Sequence, residues 1–484
     1  MKYIKISIVI LLVSFISIFA YKLTTNNSSN KLSLTKEQMK EMISYTIDGN
    51  STSSMPTKGS GYKVKSITCK SGSILTWDND NWLLEVEKLE SEDLCNIDFT
   101  TGTGSYTVTA VPSIAGSLDS TSKTTTENGQ VTFYTDAIID SVSGCTNEIS
   151  DGKVIVKNVT SNTTCNINVS YMKLYDKLLA DKSTRLTRTD FSTVLTTDNT
   201  NTLYTSTEDS KTVYYFAGNA TDNWVQFGGY YWRIIRTNSD GGVRLLYHGT
   251  STTAENAYIG ESAFNNSYNN IAYVSYMYGS TGSIANARTN QTNSSTIKGV
   301  IDKWYKDNLN TNYGKYISTT AVYCNDRTYT VDGSNTYFGA YTRLKTNKTP
   351  SYDCTATEDK FTVDSSAGNG KLTHPIALMT ADEVSFAGGV WNKNAPTWYY
   401  YNSAKGSSTG EQWWWLLSPA TGNGSYAYVF FVVGSSYPGF LSSTYVSHTY
   451  GVRPAVSLKS CVKTSGGDGS ASAPYTIEES TSGC

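Results

Sequence analysis

The chain has 484 residues, with 39 basic against 41 acidic side chains and a net charge of -2. No Lys/Arg cluster could track a phosphate backbone or an anionic bilayer, so nucleic acid is disfavoured as a partner, and the length exceeds what one hydrophobic core usually holds. Tyrosine outnumbers phenylalanine 36 to 14 while charged residues are only 17%, which leaves a surface of Tyr, Ser, Thr, Asn and Gly, as on extracellular contact surfaces and equally on ordinary sheet faces.

The N-terminus carries Lys2 and Lys5, an uncharged run from Ile6 to Tyr21, and then Lys22. The run falls between a signal-peptide core and a full span of roughly 20 residues, so residues 1–22 read as a signal peptide or a membrane anchor. Ala20, with Ile18 two positions earlier, is a poor cleavage signature. Any membrane contact is expected through this segment alone. Thr35-Lys-Glu-Gln38 has the form of a capping box and predicts a short amphipathic helix toward Tyr45. Residues 23–58 are thus a short helix followed by a Ser/Gly/Pro-rich linker, from Gly49 to Gly61.

The stretch from Ser66, SITCKSGS through DLCNIDFT, and the stretch from Ser141, SVSGCTNE through TTCNINVS, form an internal repeat. Each has a cysteine, a polar turn, an alternating strand and a closing Cys-Asn-Ile, so 59–102 and 103–171 read as two small β-rich modules. All eight cysteines follow the apolar segment, none in a CxxC pair or at metal-ligand spacing, and an even count in an exported chain reads as disulfides. The repeat predicts Cys69–Cys95 and Cys145–Cys165, an insertion of the head predicts Cys324–Cys354, and elimination leaves Cys461–Cys484. Residues 172–199, with Leu174, Tyr175, Leu178 and Leu179 on one helical face, read as a joint.

From residue 200 to 484 the head begins with a hairpin, FGGYYWRII, a turn at Asn-Ser-Asp-Gly-Gly, and a second strand on Val243, Leu245 and Tyr247. Ser295 caps a helix through Leu309, and Thr380 with Glu383 forms a capping box that Gly388-Gly389 ends. Strands and loops follow. This order predicts an α+β domain.

YTVTAVPSIAG, QVTFYTD and NVTSNTTCNINV resemble short β-rich repeats of bacterial surface proteins, including the internalin-type B-repeats, which act as stalks. FGGYYWRII, YCNDR, GNGKLTHPIALMTADEV, WWWLLSP, GVRPAVSLKS and GDGSASAPYTI resemble, in order, a family of uncharacterised bacterial surface domains. That resemblance implies the C-type lectin-like fold of the formylglycine-generating enzyme group. The fold expected is therefore an α+β C-type lectin-like head, preceded by two all-β disulfide-closed repeats and an N-terminal apolar helix.

The resemblance brings no reaction with it, and no GxSxG, HExxH, P-loop or paired-carboxylate motif appears. His248, His374 and His448 are scattered, so no catalytic residue, metal or cofactor is expected and the chain does not read as an enzyme. Of QWWWLLSP, Trp413 and Trp415 share one face of a strand that Ser418-Pro419 is expected to end; they read as structural. Arg453 of GVRP is costly to bury unpaired, which predicts a structural partnership with Glu383 or Asp382. The segment from Ser435 to Tyr450 sets Tyr437, Phe440, Tyr445, His448 and Tyr450 among small polar residues, a paratope-like mixture. With Asn423, Tyr426 and Tyr428 it makes the candidate ligand-binding surface, an exposed loop at one end of the head. The function expected is a bacterial cell-surface or secreted, adhesin-like protein that binds an extracellular glycan or protein. A structural or assembly protein of the envelope is the alternative, and an enzyme of the formylglycine-generating type a third reading, to be revived only by a polar pocket with convergent titratable groups.

Overall fold

The computed structural model describes residues 42–484 except 80–81, 91, 103, 254–256, 400, 403–412, 435–436, 438 and 481–483, and the side chains of 83, 401 and 402. Residues 1–22, where a signal or anchor segment with an apolar helix is expected, and the capping box expected at Thr35 lie outside the described residues. Among these no helix is long and apolar enough to cross a membrane. The chain divides into two compact units, one ending at Ser170 and one running Tyr171–Cys484.

The first unit contains the strands β1 (Ile43–Ile47), β2 (Asn50–Thr52), β3 (Tyr62–Cys69), β4 (Ile74–Asp78), β5 (Leu83–Lys88) and β6 (Cys95–Thr101). It continues with β7 (Ser105–Pro112), β8 (Ser122–Thr126), β9 (Gly129–Tyr134), β10 (Ile138–Ser143), β11 (Asn147–Ser150), β12 (Lys153–Val159) and β13 (Thr163–Ser170). One sheet has the order β2-β1-β6-β3 and another β8-β7-β13-β10, which is the same order. In each, the strand bearing Cys-Asn-Ile lies between a parallel neighbour, β1 or β7, and an antiparallel one, β3 or β10. The similarity of the two cysteine segments is therefore a similarity of topology.

The shared order extends the first copy back to Ile43 and corrects two expectations. Residues 43–47 form a strand and not the end of a helix, because Ile43, Tyr45 and Ile47 alternate and pack on the core of Met55, Trp82, Leu84, Ile97 and Phe99. Nor is the stretch from Gly49 to Gly61 a linker. Met55 is only 7% exposed, and the Trp82 indole donates to the Pro56 carbonyl at 3.0 Å.

In the second unit α1 (Leu174–Asp181) buries Leu174 and Leu178 in the head's own core, so it belongs to the head and is no separate joint. There follow β14 (Thr184–Thr187), β15 (Thr202–Glu208), β16 (Lys211–Tyr215), β17 (Trp224–Phe227), β18 (Tyr230–Thr237), β19 (Val243–Gly249), β20 (Glu261–Ala263) and α2 (Thr296–Asn308). Next come β21 (Tyr329–Asp332), β22 (Asn335–Phe338), β23 (Ile376–Leu378), α3 (Ala381–Ala387), β24 (Trp414–Gly422), β25 (Ala427–Val432) and β26 (Leu441–Tyr445). Last are β27 (Thr449–Gly451), β28 (Pro454–Leu458), β29 (Thr464–Gly466) and β30 (Tyr475–Ile477).

Ten of these strands form one sheet, β14-β15-β16-β18-β17-β30-β29, with β19, β28 and β23 added beside β18. Seven form a second, β20-β27-β24-β22-β21, with β25 on β24 and β26 on β25. Val452-Arg453 carries the chain from β27 in one sheet to β28 in the other.

The expected α+β C-type lectin-like architecture is overturned by these proportions: strands take up 43% of the structure and helices 14%. The two helices read in the head do form, and their caps are as read. Ser295 Oγ accepts from Lys298 N–H, and Thr380 and Glu383 make a reciprocal capping box. They are short, 13 and 7 residues, and the Thr-, Val- and Tyr-rich segments around them pair into sheets instead.

All eight cysteines are bonded, as Cys69–Cys95, Cys145–Cys165, Cys324–Cys354 and Cys461–Cys484, the four pairs set out from the sequence. Such a set belongs to a chain that folds in an oxidising, extracellular environment.

Candidate functional site

Trp413 precedes β24 and Trp414 and Trp415 open it, and all nine residues of the strand are buried. Trp414 and Trp415 point to opposite faces and both are fully covered, so the strand has core on each side. The Trp415 indole donates to the Ser262 carbonyl at 2.9 Å. Trp413 is half-buried at the rim and stacks on Phe431, with ring centroids 5.0 Å apart. Ser418-Pro419 does not end the strand as expected. The ladder with β25 shifts register on both sides of Pro419, and at such bulges a residue without an N–H is tolerated.

Nor is the region after β25 a plain loop. Leu441–Tyr445 is strand β26, paired with β25 from Tyr428↔Tyr445 to Val432↔Leu441. This hairpin separates the candidate ligand residues into two groups. Tyr437, 56% exposed, and Phe440, half-buried beside it at 5.8 Å, sit at the turn. Tyr428 and Tyr445 lie at the other end, four residues along the strand and so about 13 Å away.

At that far end a row of side chains crosses four strands. Tyr337 of β22 is opposite Thr421 of β24, Thr421 is opposite Tyr428 of β25, and Tyr428 is opposite Tyr445 of β26. Residues directly opposite share a face, and three strand spacings make the row about 14 Å long. Tyr268 continues it, 4.8 Å from Tyr445, and Tyr426 flanks it, 4.9 Å from Tyr428. The rings are tilted, 77° between Tyr428 and Tyr445 and 65° between Tyr268 and Tyr445, so the strip presents ring faces and hydroxyl edges by turns. The Tyr426 hydroxyl donates to Asn335 Oδ1 at 3.0 Å, and the Asn423 amide reaches the same oxygen at 3.3 Å. His448 is exposed at the end of the hairpin, its Nδ1 3.0 Å from both Thr444 Oγ1 and the Tyr450 hydroxyl.

Burial raises the hydroxyls of Tyr428 and Tyr426 above the usual range, and for Tyr428 the adjoining Tyr445 adds to it, so these two stay uncharged. From Gln412 to Val452 the sequence contains no Asp, Glu, Lys or Arg at all. Tyr341 lies 5.3 Å from Tyr337, and Lys345 stands over the rings of Tyr341 and Trp391 at 4.7 and 5.6 Å. Local sequence reading missed Tyr268, Tyr337 and Tyr341, because only strand register brings these distant segments beside the hairpin.

A polar cleft with convergent charges does exist, around Glu208, Arg236, Arg244, Arg343, Asp382 and Glu383, but it has room for little more than a water molecule. Its charges are spent on one another. Arg236 meets Glu208 at 2.7 Å and Glu383 at 3.1 Å, Arg244 meets Glu383 at 2.8 Å, and Arg343 meets Asp326 at 2.7 Å and Asp382 at 2.9 Å. This corrects the partnership expected for Arg453. Glu383 and Asp382 serve other arginines, while Arg453, fully buried, lies 4.7 Å over the Trp414 ring and reaches the Tyr247 carbonyl at 3.3 Å. YCNDR is a staple of the same kind: Arg327 Nε donates to Asp359 at 2.8 Å and Asn325 Nδ2 to the Leu417 carbonyl at 2.8 Å.

A family described as Domain of unknown function (DUF6273) matches residues 242–460. That span holds the row and its supporting strands. No curated protein and no solved structure matches the chain.

The histidines are far apart in role as in sequence: His248 is buried against Trp224 at 4.4 Å and His374 stacks on Tyr305 at 5.0 Å. Among the described residues the one group of His, Cys, Asp or Glu close enough to hold a metal is Cys69, Asp93 and Cys95. Two of the three are a disulfide, and Asp93 accepts the backbone N–H groups of Ser71 and Ser73 at 2.6 and 2.8 Å.

Proposed function

We propose that the protein is a bacterial cell-surface or secreted binding protein, adhesin-like, whose head holds an extracellular glycan or protein on its tyrosine-lined sheet face. The observation that carries this reading is the row Tyr337–Thr421–Tyr428–Tyr445, a strip without charged side chains in which three half-exposed tyrosines flank the buried Thr421. Rigid tyrosines provide contact area with little rotamer entropy to lose. The resemblance to bacterial surface domains and stalk repeats points to the same setting, with the N-terminal segment as signal or anchor. The charges of the polar cleft neutralise one another, which favours binding over catalysis.

A structural or assembly protein of the envelope is the second reading, favoured by the edge strand β21, all exposed, with Tyr329 at 48% and Val331 at 61%. Such an edge invites pairing with another copy.

The two part on one experiment with the full chain, its disulfides intact. Sedimentation across a concentration series, beside retention on an array of extracellular glycans and proteins, is expected to show a monomer that retains a ligand. Concentration-dependent self-association that Val331→Lys abolishes, with nothing retained on the array, would establish the assembly reading instead.

A further inference from the structure

We infer that the tyrosine row is a subsite for a neutral polysaccharide chain lying across the strands, an inference that rests on the binding reading above and names its ligand. Three observations carry it. The first is charge: no Asp, Glu, Lys or Arg occurs between Gln412 and Val452, and burial pushes the Tyr428 hydroxyl in the row above its usual range. Among the described residues the cation shown beside the row is Lys345, over the Tyr341 ring that adjoins Tyr337, at the edge. Interfaces with proteins ordinarily bring charged residues to their rim and Arg to their anchors, which this strip lacks.

The second is direction. Tyr337, Thr421, Tyr428 and Tyr445 succeed one another from strand to strand, so a ligand following them runs perpendicular to the strands. A peptide that extends the sheet runs along an edge strand and uses its backbone groups. The row offers side chains only.

The third is the alternation of surface type. Each sugar of a neutral chain has apolar C–H faces and hydroxyls that both donate and accept. Along Tyr428, Tyr445 and Tyr268 the tilted rings set an apolar face beside a phenolic hydroxyl, and Asn335 and Asn423 add neutral hydrogen-bonding groups beside them. Tyr437 and Phe440, at the opposite end of the hairpin, take no part.

The test uses the full chain on a printed array of neutral oligosaccharides (glucans, mannans, galactans and chitooligosaccharides) and anionic ones (uronate, sialylated and sulfated), at low and high salt, with an array of extracellular proteins beside it. The expected result is retention of a neutral class, unchanged by salt because no ion pair forms. Tyr445→Ser should weaken it at least about tenfold, and Tyr437→Ser should leave it intact. In case Tyr445→Ser perturbs the hairpin, the double change Tyr428→Phe with Tyr445→Phe keeps the rings and removes the hydroxyls. It should cost about tenfold in affinity with an unaltered melting curve.

Salt-sensitive retention of anionic sugars, lost in Lys345→Gln, would overturn the proposal and move the site to the basic edge. Retention of a protein but no sugar, lost in Tyr445→Ser, would overturn the glycan assignment while leaving the binding reading in place. A folded chain that retains neither, and self-associates, would end both.

Discussion

Arg453 shows how a single side chain can be read correctly as structural and still be given the wrong partner. Its cost of burial was plain from a charged residue between Val and Pro in a strand-rich segment, but Glu383 is taken up by Arg236 and Arg244. The guanidinium lies instead on Trp414 and donates to the Tyr247 carbonyl, bridging the two sheets where the chain crosses between them. Arg453→Ala leaves a void on Trp414 and a buried carbonyl short of a donor, so the head should lose about 2–4 kcal/mol in denaturant unfolding. A loss under about 0.5 kcal/mol would mean that the side chain is not packed as described.

At the scale of elements, the disulfides act on modules too small to hold a generous core. Cys69 and Cys95 are directly opposite one another at the end of the β3–β6 ladder, and the bond closes a loop with a sequence separation of 26. In the chain-entropy account such a loop is worth roughly 3 kcal/mol. The double change Cys69→Ser with Cys95→Ser should therefore lower the unfolding transition of the unit ending at Ser170, seen by calorimetry, and leave that of residues 171–484 where it was. Equal lowering of both transitions would contradict the division into two units. The strand β24 makes a different point. It is buried on both faces, and its proline is accommodated by a shifted register, so a residue that ends most strands in sequence reading is here passed over.

For the whole molecule, the buried charge network makes stability depend on pH. Burial works to raise the Glu208 carboxyl, but Arg236, by charge and hydrogen bond, and then Arg244 and the Ser239 amide outweigh it and hold it down at about 2, from an ordinary 4.5. Glu383 is held down in the same way against its burial, by Arg244 and Arg236. A carboxylate depressed on folding adds stability that is fully present above its unfolded value and is lost as pH falls through the folded one. Burial, followed by Arg233 and Arg453, pushes the His248 imidazole well below 6.5, so protonation in the unfolded state draws in the same direction. The melting temperature of the head is expected to ease downward below about pH 6.5 and to fall steeply between about pH 4.5 and 2. A melting temperature that stays level down to about pH 3 would show that Glu208 and Glu383 are not held by the arginines.

What the sequence determined by itself is local. The four disulfide pairs follow from cysteines 20 to 30 residues apart and from a repeat visible in the chain. The caps at Ser295 and Thr380, and the hairpin of β18 and β19, rest on hydrogen bonds within a few residues, for which residue type and spacing are the whole cause. Tertiary structure decided the rest. Whether Ile43–Ile47 would be helix or strand depended on β6, fifty residues on, as a partner. That the expected α+β head would be mostly sheet depended on pairings such as β19 with β28, more than two hundred residues apart. The tyrosine row is of that second kind. Tyr337, Tyr428 and Tyr445 have no spacing that relates them, and they meet because register across β22, β24, β25 and β26 puts them on one face, a consequence of backbone pairing that no single segment encodes.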